Sequence, residues 1–146
     1  MKSKRKMIWL FLMISVMIVI FCLSNQPAEA SKKISDTVAE EINIQPKEDW
    51  ATPSTTKIAF GLNLRKMAHI GLFALLGITA MGYTTEIFRA SAICFGYAIF
   101  DEVHQCFVVG RTGNVKDVGY DAIGFLLVFV VWEIVTFIIK RKKLTM

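Results

Sequence analysis

Charge is scarce in this chain: Asp, Glu, Lys and Arg make up 20% of its 146 residues, while 54% are hydrophobic. That balance is too apolar for an ordinary soluble domain, and the length is too short for more than one compact unit. Proline is equally sparse. All three, Pro27, Pro46 and Pro53, lie in one stretch, which they divide into short pieces. Three cysteines do not make a disulfide framework, because Cys22 and Cys94 fall in separate apolar runs and Cys106 lies near a boundary. The sequence has no Gly-x-Ser-x-Gly elbow, phosphate-binding Gly-rich loop, Cys-x-x-Cys pair or His-Glu-x-x-His helix, so familiar enzyme signatures are missing. No internal repeat stands out. The net charge of +5 comes with basic clusters at the two termini, where membrane anchoring explains it, and no nucleic-acid partner is expected.

What is abundant is uncharged helix-length sequence. Met7 to Leu23 is an apolar run behind Lys2, Lys4, Arg5 and Lys6, at the lower end of spanning length. Met67 to Tyr83 is a second, interrupted only by His69. The uncharged part of the third, Ala90 to Phe100, makes roughly 16 Å of helix, about half a hydrocarbon core. Continuing it to Val109 gives a full span and places Asp101, Glu102, His104 and Gln105 inside the helix. A fourth segment runs from Val118 to Ile139 and ends on Lys140, Arg141, Lys142 and Lys143. The expectation is an all-α fold: a single integral membrane four-helix bundle, residues 1–146, with spans at about 7–23, 67–83, 90–109 and 118–139, and a long outer loop, 24–63, between helices 1 and 2. Within that loop Ile34, Val38 and Ile42 repeat every four residues, the pattern of a surface amphipathic helix, with a solvated linker as the alternative.

The dense terminal bases favour a bacterial cytoplasmic membrane topology with both termini cytoplasmic. Bases on the other side, among them Lys57, Arg65, Lys66, Arg111 and Lys116, are diluted by carboxylates. Ala28-Glu29-Ala30 also fits a signal-peptidase site, so the first span reads as a retained anchor with cleavage as the alternative.

Polar residues gather at one level of this scheme. Asp101, His104 and Gln105 stand at i, i+3 and i+4 on the third helix. Lys66 and His69 are three apart on the second, and Asp117 and Asp121 four apart entering the fourth. An ionisable group at membrane depth costs roughly 2.5 to 3.5 kcal/mol on insertion scales, so three such stripes are tolerable only if they face one another. Arg111, in the turn from Gly110 to Gly113, is placed to close over them, and Gly124 lets the fourth helix approach a neighbour. The expectation is an outward-facing polar pocket.

These residues carry a resemblance. Arg65-Lys66-Met67-Ala68-His69 opens the second span, and Asp101-Glu102-Val103-His104-Gln105 is followed by Gly110-Arg111 and by Asp117-Val118-Gly119-Tyr120-Asp121-Ala122-Ile123-Gly124; Ser24-Asn25-Gln26-Pro27 with Ser31 and Ser35 follows the first. In these blocks the chain resembles the VanZ-like family, bacterial membrane proteins named after a teicoplanin-resistance protein. It departs from the family pattern at Leu72-Phe73, where an acid and a tyrosine are common, and at Val109, where proline is usual. The resemblance implies a cell-envelope role and names no reaction.

The first functional expectation is a non-enzymatic protein whose pocket binds an envelope lipid, cell-wall precursor or glycopeptide. Arg111, Arg65 and Lys66 would contact phosphate or carboxylate. His104 and Gln105 would orient the ligand, and His69, Asp101, Glu102, Asp117 and Asp121 complete the candidate set. The second is a membrane-embedded hydrolase or transferase, with His69 or His104 as base and Asp101 or Asp117 orienting it. A third variant puts a divalent metal among His69, Asp101, Glu102 and His104, acceptable ligands without a recognised spacing; no metal or cofactor is assigned. The alternative to all three is an ion-pair network that only fastens helices together. The oligomeric state is not legible in the sequence.

Overall fold

A computed structural model describes the backbone of residues 2–30, 33, 37, 38 and 53–144, and within them the side chains of 3–30, 33, 37, 38 and 66–142. All regular structure among the described residues is helical. Four long helices carry it: α1, Lys2–Ser24; α2, Pro53–Thr84; α3, Ile87–Gln105; and α4, Val115–Leu144. α2 packs against the other three, α1 also touches α3, and α3 lies on α4.

Three of these helices are long and apolar enough to cross a membrane, over Ser3–Ser24, Lys66–Thr84 and Val115–Lys142. Their outer surfaces explain the composition. Phe11, Ile18, Leu127, Val131, Ile134 and Phe137 are exposed, which is the arrangement hydrocarbon solvates and water does not. α3 falls outside this set. Its 19 residues would reach roughly 28 Å, but Arg89, Asp101 and Glu102 lie within it, so its stability depends on its neighbours.

Several boundaries differ from the sequence-based expectation. The third span does not run to Val109: α3 ends at Gln105, and tight turns follow, with Phe107 N–H donating to His104 O at 2.9 Å and Val108 N–H to Gln105 O at 3.1 Å. Gly110 then takes φ 76, a left-handed conformation that glycine adopts without penalty. The second helix begins at Pro53 and not near Met67, so residues 53–63 of the expected loop are helical. Proline is well suited to a first helical turn because its missing N–H would have no partner there. Of the remaining loop, residues 28–30, 33, 37 and 38 are helical, and Thr37 Oγ1 donates to Lys33 O at 3.0 Å. Ile34 and Ile42, two of the three positions of the expected amphipathic repeat, lie outside the described residues. α4 starts at Val115, three residues earlier than the hydropathy suggested.

Small residues let the helices close on one another. A Cβ at Gly124 would run into the Ile70 carbonyl of α2, and one at Gly82 into the Trp9 ring of α1. Gly77 takes Phe125 of α4 in the same way. The buried core is correspondingly layered: Met13, Val16 and Ile20 from α1, Phe73, Leu76 and Met81 from α2, Ala90, Cys94 and Ala98 from α3, Phe125 and Phe129 from α4. α2 and α3 turn over through Thr85 and Glu86 alone, Thr85 at φ 58. That short turn puts the start of α3 beside the end of α2, and therefore the end of α3 beside the middle of α2, at the level of His69.

Candidate functional site

The buried face of α3 changes chemistry along its length. Ala90, Cys94 and Ala98, at helical spacing, are followed on the same side by Asp101, Glu102 and Gln105, all buried. Because four residues advance a helix by 400°, a residue at i+4 returns nearly to the same face, so a face that packs against hydrocarbon at one end presents carboxylates at the other. The elements that receive them are the end of α1, residues 66–69 of α2, and the first turns of α4.

Asp101 is fully buried. Its Oδ2 accepts from Ser24 Oγ at 2.9 Å and from Gln105 Nε2 at 2.9 Å, while its Oδ1 has no hydrogen-bond partner. Asp121 is 1% exposed. Its Oδ1 lies 3.2 Å from His69 Nδ1, and its Oδ2 again has no hydrogen-bond partner. One donor atom each from His69, Asp101 and Asp121 falls within 4.8 Å of the others. Three helices thus contribute one imidazole and two carboxylates to a single point, and each carboxylate is satisfied on one oxygen only.

A small open cleft lies beside this point, lined by Lys66, His69, Gln105, Asp117, Tyr120 and Asp121. Lys66 Nζ stands 4.5 Å from the centre of the Tyr120 ring, a cation–π contact that holds the ammonium over the cleft wall without neutralising it. Five residues singled out in the sequence therefore meet here: Lys66, His69, Gln105, Asp117 and Asp121. Asp101 lies behind them.

Other candidates are placed elsewhere. The Arg111 guanidinium donates from Nη2 to Leu23 O at 3.2 Å, a carbonyl at the end of α1 that also accepts from the Gln26 N–H at 3.4 Å. Glu102 Oε1 accepts from the Asn114 N–H, which ties the end of α3 to the start of α4. His104 does not share the cleft: its ring stacks on Phe21 with centroids 4.4 Å apart, and Phe100 lies at 6.4 Å. The Arg65 side chain lies outside the described residues.

Two participants were not among the sequence candidates. Ser24 is fully buried and holds Asp101; it stands in a block that carries the family resemblance, but nothing in its spacing ties it to the acids. Tyr120 precedes Asp121 and follows Asp117 by three, so its place on the same helix end as both acids was the available hint.

A family model described as VanZ/LLP1 matches residues 9–136, a stretch that contains every residue of the cluster. No curated protein matches the chain, and no solved structure does.

Proposed function

The chain belongs to the VanZ/LLP1 family, and from that premise we propose that it is a multi-pass protein of the bacterial cytoplasmic membrane, termini in the cytoplasm, whose polar cleft faces outward and binds the headgroup of an envelope amphiphile. The ligand classes that fit are an envelope lipid, a cell-wall precursor or a lipid-bearing glycopeptide, and binding the last would lower susceptibility to teicoplanin-type compounds.

The observation that carries this reading is the mixed lining of the cleft. Lys66 offers one full positive charge, suited to a phosphate or carboxylate. Asp117 and Asp121 accept from hydroxyl or ammonium donors, and the Gln105 amide both donates and accepts. Headgroups that combine an anion with hydroxyl or amine donors match that set better than a bare phosphate does. The exposed apolar surfaces of α1 and α4 keep such a site within reach of a ligand whose tail remains in the bilayer.

The test is retention of lipid by protein extracted from membranes and examined by native mass spectrometry, with phosphatidylglycerol and phosphatidylcholine as probes. Wild type is expected to retain phosphatidylglycerol in preference to phosphatidylcholine, and Lys66→Gln to lose at least about tenfold of that preference, roughly 1.4 kcal/mol. Equal retention of the two lipids by both proteins would overturn it.

A second reading, a hydrolase or transferase acting on a lipid-linked substrate, is favoured by one feature. The Asp121 carboxylate facing His69 Nδ1 is the arrangement that fixes a histidine tautomer and leaves the other ring nitrogen to act as a base. Turnover of a polyprenyl-phosphate-linked sugar that disappears in His69→Gln, with lipid retention unchanged, would select it.

A further inference from the structure

We propose that His69, Asp101 and Asp121 form a three-ligand site for a divalent metal ion of the zinc or manganese type, with the remaining coordination position turned toward the cleft. The inference rests on two independent observations. The first is position: one donor atom from each residue lies within 4.8 Å of the others, although the three belong to α2, α3 and α4. Donors around a tetrahedral zinc at about 2.1 Å stand roughly 3.4 Å apart, so the set lies within a short movement of bonding distance. The second is incomplete pairing. Asp101 and Asp121 are 0% and 1% exposed, and each keeps one buried oxygen with no hydrogen-bond partner.

Buried carboxylates are normally satisfied on both oxygens or neutralised, because an unpaired charge in a low-dielectric interior is expensive. Here two of them face a single imidazole. Ser24 and Gln105 both donate to the same oxygen of Asp101, which fixes the carboxylate in orientation and leaves Oδ1 directed elsewhere. Outer hydrogen bonds that orient a ligand in this way are a general feature of metal sites. One nitrogen and two oxygens suit zinc or manganese; calcium and magnesium prefer oxygen alone. Two of the three residues, His69 and Asp121, line the cleft, so an ion held between them and Asp101 would present its open position to whatever occupies it. The ion would add positive charge beside Lys66, where an anionic headgroup needs it. The metal site does not depend on the headgroup reading, since it is tested with the ion alone.

The experiment uses full-length protein in detergent micelles, stripped with EDTA, desalted, and then exposed to Zn2+ or Mn2+. After removal of free ion, wild type is expected to retain close to one equivalent per chain by elemental analysis and to melt at a higher temperature than the stripped protein. A hundredfold excess of Mg2+ should not displace it. Asp121→Asn and Asp101→Asn, which keep side-chain volume, are expected to weaken retention at least a hundredfold, while His104→Gln and Cys106→Ser retain the ion as wild type does. The thermal shift of wild type needs no variant and so stands even if the Asn proteins fold poorly. No retained ion and no thermal shift in wild type would overturn the proposal and leave the two acids to share a proton. Retention that survives in both Asn variants, or that is lost in Cys106→Ser, would overturn it as well.

Discussion

The two ends of α3 solve the same packing problem by opposite means. Near Ala90 the helix meets its neighbours mainly through small and apolar side chains: Ala90, Cys94 and Ala98 are buried, Phe95 sets its ring edge-on to Phe125 at 4.8 Å, and the polar contact to α1, from the Tyr97 hydroxyl to Met17 O, involves no charge. Near Asp101 the same face is held by directional bonds, from Ser24 to Asp101 and from the Asn114 N–H to Glu102, while Gln105 of α3 itself steadies Asp101. The apolar end shows that these helices can be fastened without charge. Charge at the polar end therefore exceeds what fastening requires, and the unpartnered oxygens of Asp101 and Asp121 show that the network does not close upon itself. An end that is expensive to bury and incompletely paired is where a ligand or an ion is expected.

Just beyond the polar end, α2 and α4 come close at Gly124, and the largest expected effect is there. Gly124→Leu would force a side chain into the Ile70 carbonyl and the Ala74 amide, backbone atoms that cannot rotate away. A loss of about 3 kcal/mol is expected, read as a fall in the unfolding midpoint in detergent. Tolerance of leucine there would show that α2 and α4 separate more readily than their packing implies, and the contrast between ends would lose its common frame.

Next in size is Asp101→Ala. It leaves Ser24 Oγ and Gln105 Nε2 without their acceptor and is expected to cost about 1 to 3 kcal/mol. Arg111→Ala should follow at about 1 to 2 kcal/mol, from loss of a charged hydrogen bond to the Leu23 carbonyl; Arg111→Lys should recover only part, since a lysine does not reproduce the guanidinium's planar geometry. The smallest change belongs to the apolar end: Cys94→Ala removes one buried sulfur and is expected to cost about 1 kcal/mol or less. If Cys94→Ala proved as damaging as Asp101→Ala, the two ends would not differ in kind.

The membrane character was legible because it depends on one quantity, the length of uncharged helix, which composition reports directly. The polar stripe of α3 was legible for a related reason, since Asp101 and Gln105 are four apart and any helix puts them on one side. The exact membership was not. His104 and Gln105 are neighbours in sequence, so they point about 100° apart around the axis; their spacing from Asp101 suits either to its face, but Gln105 bonds the carboxylate and the His104 ring packs on Phe21 of α1. That choice depends on which aromatic lies opposite, and periodicity within one helix contains no information about it. Arg111 was legible as a charge near the cluster, but its use on the Leu23 carbonyl follows from the three-dimensional path of the 106–114 turn. The start of α2 is not legible in hydropathy, because Lys57, Arg65 and Lys66 interrupt the apolar run; Pro53 marks it instead.

The central claim is that side chains from α2, α3 and α4 act as one coupled group at the polar end. A double-mutant cycle between His69→Ala and Asp121→Ala, read from unfolding free energies of EDTA-stripped protein in detergent, tests it most directly. Groups in one network deviate from additivity by about 0.5 to 3 kcal/mol; a coupling of at least about 1 kcal/mol is expected here, given their 3.2 Å separation and burial. Additive effects within about 0.3 kcal/mol would mean that His69 and Asp121 do not meet in the folded protein, and the shared cleft would not exist.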